Sequence, residues 1–369
     1  MSQVVFLNPW DRLIGPNRYL FEILRCLPDL ARSSTVVFDQ TNDAQDEYQE
    51  IGCGVEVWPE ISPIHPRANL GNALKMASVH TAGLARMVNR LRSHSPGLVV
   101  SNTENLWVGG MASKIIGVPH MQVFHALTFK DRLGSRPFLM KSYLRFLSCW
   151  SRSFVSVSSA VAAALAQAAV DPSRIIRIPN PLDTSDHSNS PAEGSPATIL
   201  PSNSDDGPIL VCAGRISPMK GQDLLVEALP AVKERFPNLK CFFAGRIGSD
   251  SGLEDTVRFH STLINRIAAL GLESNIVFLG EVEDLPSLLA SADLCVQPSR
   301  TESFGRVVCE SLLTGTPVAA FAVGGIPESA GPGALLARAG DGGALSAAII
   351  RILDNPALAR ELAANGRTY

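Results

Sequence analysis

The chain lacks any uninterrupted apolar segment long enough to span a bilayer. Its first residues, Met1-Ser2-Gln3-Val4-Val5-Phe6-Leu7, run straight into a strand pattern without the basic start of a secretion signal. Both absences point to a cytoplasmic protein. Charge of one sign is also lacking: the formal net charge is −3, so the basic signature of a nucleic-acid partner is missing and no nucleic acid is expected. Cysteine is sparse and odd in number. Cys26, Cys53, Cys149, Cys212, Cys241, Cys295 and Cys309 are scattered and mostly sit in apolar runs, which fits reduced thiols used as small core residues. No Cys-x-x-Cys or His-x-x-x-His spacing occurs, so a structural zinc site is not expected. A P-loop and a Gly-x-Gly-x-x-Gly fingerprint are missing too, which removes nucleotide hydrolysis and dinucleotide redox chemistry as ready readings.

What is present is apolar patterning over 369 residues, 46% of them hydrophobic, enough for two sizeable cores. Val4–Leu7 reads as a first buried strand. Further strands are predicted near Thr35–Phe38, Val55–Trp58, Gly97–Ser101, His120–Phe124, Phe154–Val157 and Ile175–Ile178. Helical spacing lies between them. Leu20, Ile23, Leu24 and Leu27 share one face after Gly15-Pro16, and Leu70–Leu91, Trp107–Ile116 and Ser159–Ala169 follow. From residue 184 to 207 the chain turns polar and rich in Ser, Pro and Gly, the composition of an exposed linker. A second strand–helix series then runs through Ile209–Ala213, Lys240–Phe243, Ile276–Leu279, Leu294–Gln297, Pro317–Phe321 and Ala334–Leu336. Alternating strands and helices mean parallel sheets covered on both faces. The expected organisation is therefore an N-terminal domain over 1–183, a linker over 184–207 and a C-terminal domain over 208–369.

Four stretches of the second half carry chemistry. Gly214-Arg215-Ile216-Ser217-Pro218-Met219-Lys220-Gly221 follows a strand, and two cations on such a loop suit a diphosphate. Phe243-Ala244-Gly245-Arg246 ends the next strand with a glycine where a ligand can approach the backbone. Thr301-Glu302-Ser303-Phe304-Gly305-Arg306-Val307-Val308-Cys309-Glu310 places Glu302 in a loop beyond a strand and Glu310 about two turns into the next helix. The amides of Phe304 and Gly305 fall at that helix's N-terminus, suited to an electron-rich ligand; a simple cap is the other reading of Glu302. Gly324-Gly325-Ile326-Pro327-Glu328 is a glycine turn after a later strand.

Taken in order, these motifs resemble the retaining glycosyltransferases of family 4, the glycosyl transferases group 1. The resemblance is strong over Val211–Glu328 and weaker in the first half, where it rests on Gly15-Pro16, His125, Ser156-Val157-Ser158 and Ile178-Pro179-Asn180-Pro181-Leu182-Asp183. It implies the α/β GT-B fold, two Rossmann-like parallel-sheet domains facing across an interdomain cleft. It implies that Arg215 and Lys220 hold the diphosphate of a nucleotide-sugar donor, and that Glu302 with Phe304 and Gly305 binds sugar hydroxyls. It further implies that Glu310 accepts from the ribose, that Gly214, Gly245 and Val308 border the nucleotide, and that Gly15 and His125 lie by the reacting sugar. His125 follows the apolar residues Met121, Val123 and Phe124, so a structural hydrogen-bonded histidine is its other reading. No side-chain nucleophile is nominated. With no Asp-x-Asp in the chain, neither metal nor cofactor is expected. The expected activity is sugar transfer from a nucleotide diphosphate to a glycan or lipid-linked acceptor, in cell-surface polysaccharide or glycolipid assembly. A non-catalytic sugar-nucleotide-binding protein and a sugar-nucleotide epimerase are the alternatives.

Residues 129–154 form a second feature. Lys130, Arg132, Arg136, Lys141, Arg145 and Arg152 alternate with Phe138, Leu139, Tyr143, Phe146, Leu147 and Trp150. That pattern suits an interfacial helix on the inner face of the plasma membrane, or a plain packed surface helix. The chain ends at Tyr369 near a helix over Ala357–Ala364, and the resemblance leads one to expect a further helix crossing back to the first domain.

Overall fold

A computed structural model describes residues 3–10, 12–13, 15–61, 83–126, 137–182, 207–247 and 253–369. The chain divides into two compact units, Met1–Pro181 and Leu182–Tyr369. Residues 184–206 of the expected linker, the first part of the Leu70–Leu91 helix, and Lys130, Arg132 and Arg136 lie outside the described residues.

The first unit is built on a seven-stranded parallel sheet. Its strands are β1 (Val4–Leu7), β2 (Ser34–Phe38), β3 (Gly54–Val57), β4 (Leu98–Ser101), β5 (His120–Phe124), β6 (Ser153–Ser156) and β7 (Ile175–Arg177), in the order β3-β2-β1-β4-β5-β6-β7. β1 and β2 are buried along their whole length, as parallel strands covered on both faces must be. One face of the core joins Val5, Leu7, Val37 and Val99 to Trp58, Met87, Leu91 and Ala112. The helices start and stop where local chemistry dictates. Ser158 caps Ser159–Gln167 by accepting from the Val161 amide at 3.2 Å, and a left-handed Gly117 ends Trp107–Ile116. The first helix spans Pro16–Cys26, and Leu27, expected on its apolar face, is half exposed beyond its end. Pro28 forces the preceding residue out of the helical region, so Tyr19, Leu20 and Leu24 carry the packing without it.

The helix Pro137–Ser148 turns Leu144 and Leu147 into the core and leaves Lys141 and Arg145 exposed. Tyr143 donates to the Glu104 carbonyl at 2.6 Å, and Phe146 sits edge-on to both Trp107 and Trp150. Its described apolar side is thus engaged within the unit. No helix among the described residues is long and apolar enough to cross a membrane.

The second unit holds a six-stranded parallel sheet of β8 (Ile209–Ala213), β9 (Lys240–Ala244), β10 (Ile276–Gly280), β11 (Leu294–Gln297), β12 (Val318–Phe321) and β13 (Ala334–Ala337), ordered β10-β9-β8-β11-β12-β13. Strand alternation divides its core. Leu210 and Cys212 pack with Leu225, Leu229 and Ile349 of helices Gln222–Arg235 and Gly342–Leu353. Ile209, Val211 and Ala213 face Leu288, Val308 and Leu312 of helices Leu285–Ala290 and Arg306–Thr314 on the other side. All seven cysteines are free, and Cys53, Cys212, Cys241 and Cys295 are buried as small apolar residues; Cys26 and Cys149, by contrast, are exposed. The carboxyl-terminal helix runs Pro356–Thr368, longer at both ends than Ala357–Ala364.

Candidate functional site

In the second sheet the strand order reverses direction between β8 and β11. An open parallel sheet offers its ligand crevice beyond the carboxyl ends of the strands at such a point. Two of the predicted motifs emerge there. β8 ends at Ala213 and leads into Gly214–Gly221, while β11 ends at Gln297 and leads into Pro298–Gly305. The loops meet through their side chains: Lys220 Nζ donates to Glu302 Oε2 at 2.6 Å, with 23% and 14% of the two side chains exposed. Ser299 Oγ adds a weaker donation of 3.4 Å to the same oxygen. A cation and an acid 82 positions apart in sequence thus stand together, partly shielded from water.

The backbone makes that meeting possible. A Cβ on Gly221 would lie 2.0 Å from the Pro298 carbonyl oxygen, and Gly221 has φ +71°, so only glycine lets these two loops touch. Arg300 then fastens them. Its guanidinium binds both carboxylate oxygens of Asp223 at 2.7 and 2.6 Å and the Pro218 carbonyl at 2.8 Å, while its amide donates to Met219 O at 2.9 Å. The fully buried Gln222 donates to Arg215 O at 3.0 Å and accepts from the Ser217 amide at 3.3 Å, holding the main chain beneath the half-buried Arg215. Gly214 and Gly245 stand at neighbouring strand ends. A Cβ on Gly245 would come within 2.1 Å of Gly214 O, so its first constraint is internal to the protein.

On the next helix, Gly305 takes a left-handed φ of +97° and caps Arg306–Thr314 with no side-chain bond of its own. Glu310 pairs with Arg306 one turn earlier at 3.4 Å, each side chain 17% exposed. Phe304 is buried, and Val308 is completely so, its side chain part of the core rather than of an open surface. The Gly324-Gly325 turn supports the same loop. Gly325 donates to the Glu302 carbonyl at 2.9 Å, where a side chain would collide with Ser303 O at 2.4 Å. Arg215, Lys220, Glu302 and Glu310 therefore all belong to this one unit, on elements that leave β8 and β11.

The sequence family of glycosyl transferases group 1 matches residues 200–369, and that of Glycosyltransferase Family 4 matches residues 14–186. The chain belongs to these glycosyltransferases. A GDP-mannose-dependent monoacylated alpha-(1-6)-phosphatidylinositol monomannoside mannosyltransferase of Corynebacterium glutamicum is 34% identical over 175 residues, 45% of this chain and 43% of that protein. A D-inositol 3-phosphate glycosyltransferase of Salinispora tropica is 40% identical over 125 residues, 32% of this chain and 25% of that one. The matched stretches thus span less than half of these curated relatives. The solved structure of Anabaena HepE in complex with UDP-glucose covers 100% of this chain and 94% of its own, with a TM-score of 0.81 and 24% identity. That likeness, with the two parallel sheets, establishes the GT-B fold.

The first sheet also reverses, between β1 and β4; of the two site residues expected of the first unit, Gly15 follows β1 and His125 follows β5, the neighbour of β4. Gly15 caps helix Pro16–Cys26 with φ +51°, and the space a side chain would take is open. His125, just past β5, packs edge-on against Tyr19 at 4.9 Å and bonds Asn102 Oδ1 through Nε2 at 2.8 Å. Burial pushes its pKa down to about 3. Two groups of residues escaped sequence reading. The Asp223–Arg300 clasp has no motif, because its partners come from different loops. Asn8 and Asn102 did carry a signal, since each directly follows a buried parallel strand at the reversal point.

Proposed function

We propose that this chain moves a sugar from a nucleotide-diphosphate donor to a glycan or lipid-linked acceptor, with retention of anomeric configuration and without a metal. The observation that carries the reading is the Lys220–Glu302 pair, held at 2.6 Å at the reversal point of a parallel sheet in a chain of this family. Breaking a sugar–phosphate bond leaves negative charge on the departing diphosphate and positive charge on the anomeric carbon. Lys220 and Arg215 supply cations for the former, in a site where partial exclusion of water strengthens them. In this reading Glu302 accepts from sugar hydroxyls once Lys220 turns to phosphate, and Glu310 accepts from the ribose. The leaving phosphate takes the acceptor's proton, so no side-chain nucleophile is needed. The C. glutamicum relative is GDP-mannose-dependent and acts on a phosphatidylinositol mannoside, which supports a nucleotide sugar as donor and a lipid-linked acceptor. For such an acceptor the exposed Lys141, Arg145 and Arg152 are the described cations of the 129–154 stretch that an anionic leaflet would meet.

Incubation with a panel of nucleotide sugars tests the reading. Nucleotide release with glycoside formation, an unchanged anomeric proton coupling in the product and indifference to a chelator are the expected results. An isomerised donor would make the chain an epimerase, and tight binding without turnover a binding protein. Co-sedimentation with anionic but not neutral vesicles tests the membrane-facing stretch separately.

A further inference from the structure

Four side chains beyond β1, β4 and β5 form a directed line of hydrogen bonds. His125 Nε2 meets Asn102 Oδ1 at 2.8 Å, Asn102 Nδ2 donates to Asn8 Oδ1 at 2.9 Å, and Asn8 Nδ2 donates to Asn17 Oδ1 at 2.7 Å. All three asparagines are essentially fully buried. An amide side chain can be turned end for end unless its neighbours forbid it. Here they do, because main-chain carbonyls, which only accept, anchor both ends of the line. Asn102 Nδ2 also donates to Pro16 O at 2.9 Å, and Asn17 Nδ2 donates to Arg12 O at 2.9 Å. The Tyr48 hydroxyl lies 2.7 Å from Asn17 Oδ1 and 3.0 Å from Asn17 O. Each nitrogen is therefore committed as a donor, and the oxygen that Asn102 turns to His125 can only accept. The imidazole must donate to it.

We infer that Asn102, backed by Asn8 and Asn17, is a positioning residue: it holds His125 as the Nε2–H tautomer and leaves Nδ1 as an acceptor for a sugar hydroxyl. The same line ties the imidazole to the turn that carries Gly15, because Trp10 Nε1 donates to Asn102 O at 3.1 Å and Asn102 itself binds Pro16 O. The part about the sugar rests on the glycosyl-transfer reading; the part about the tautomer does not. Among the described residues, the other ionisable groups by His125 are Tyr19 at the ring edge and Glu104, whose carboxylate accepts from the His125 amide at 3.4 Å. Burial holds Tyr19 well above its ordinary value, so it stays neutral.

The test is nitrogen and carbon NMR of the full chain labelled in histidine, near pH 7. His125 is assigned by the signal lost in His125→Gln. The wild type is expected to show neutral imidazole protonated at Nε2. Asn102→Ala and Asn8→Ala are expected to bring in the Nδ1–H form and to lower kcat at least tenfold with a smaller change in donor KM. Asn8 never touches the ring, so an effect there reports the line itself. A wild-type His125 protonated at Nδ1 overturns the inference without any variant having to fold. So does an unchanged tautomer in folded Asn102→Ala, which would leave the asparagines only structural. Absence of any glycosyl transfer with the expected tautomer present removes the sugar from the inference and counts against the activity, while the positioning of the ring stands.

Discussion

At Gly221 a single hydrogen atom decides whether two loops can touch. With Pro298 O standing 2.0 Å from where a Cβ would be and φ at +71°, Gly221→Ala combines left-handed strain with overpacking and should cost about 2–5 kcal/mol. Denaturant unfolding measures it, and a loss below ~1 kcal/mol would show that the loops part easily. Ligand affinity sorts the charged residues. Glu310→Ala should weaken every ribose-bearing ligand about equally, nucleoside and nucleoside diphosphate alike. Arg215→Ala should weaken the diphosphate far more than the nucleoside, and slow transfer by roughly a hundredfold to a thousandfold as one lost electrostatic donor does. Calorimetric titration of both ligand types reads the difference, and equal effects of both changes would contradict the assignments. Much of this was legible beforehand, since Arg215, Lys220, Glu302 and Glu310 stand in recognisable motifs. What spacing could not say is that Lys220 and Glu302 bond each other, or that Val308 is enclosed in the core, because facing residues come from chain segments far apart.

Helix termini and strand ends set the next level. Helix Gly342–Leu353 begins at Asp341, whose carboxylate accepts from the Ala344 amide at 2.9 Å, and it packs against β12 and β13, with Ile349 buried in the core. Asp341→Ala should destabilise the second unit by about 1 kcal/mol and Asp341→Asn by much less, because the asparagine oxygen still caps. A shift of the denaturant midpoint with an unchanged slope is the expected signature. Strands were the most readable elements, each found within a residue or two of its predicted range, since buried parallel strands are short unbroken apolar runs bounded by Gly or polar residues. The first helix was less readable at its end. Helical spacing alone carried Leu27 into the apolar face, whereas the conformational limit imposed by Pro28 set it outside.

For the molecule as a whole, two neutral histidines shape the response to acid. His120 is 99% enclosed between Ser101 Oγ and Ser151 Oγ at 2.9 and 3.0 Å, and burial pushes both its pKa and that of His125 down to about 3. An unfolded histidine takes its proton near pH 6.5. As the pH falls below that value the unfolded state binds protons that the folded state refuses, so stability is full above about pH 6.5 and is lost from there toward 3. Most carboxylates titrate lower, so the loss between about pH 6.5 and 5 belongs to the histidines, with a slope approaching ~1.4 kcal/mol per pH unit for each. His120 carries the larger share, because His125 keeps some contact with solvent. A flat denaturant midpoint across that interval would mean that the imidazoles are charged in the fold.

The amino-acid sequence by itself determined the class of this protein: two runs of alternating strand and helix, and an ordered set of cationic, acidic and glycine positions beyond particular strands. Those are local facts, written in periodicity and in the residues that can stand at a turn. Tertiary structure alone decided which loops become neighbours, because strand order, not chain order, sets adjacency. Only through that order does β8 lie beside β11 and bring Lys220 to Glu302, and β1 beside β4 and bring Asn8 to Asn102.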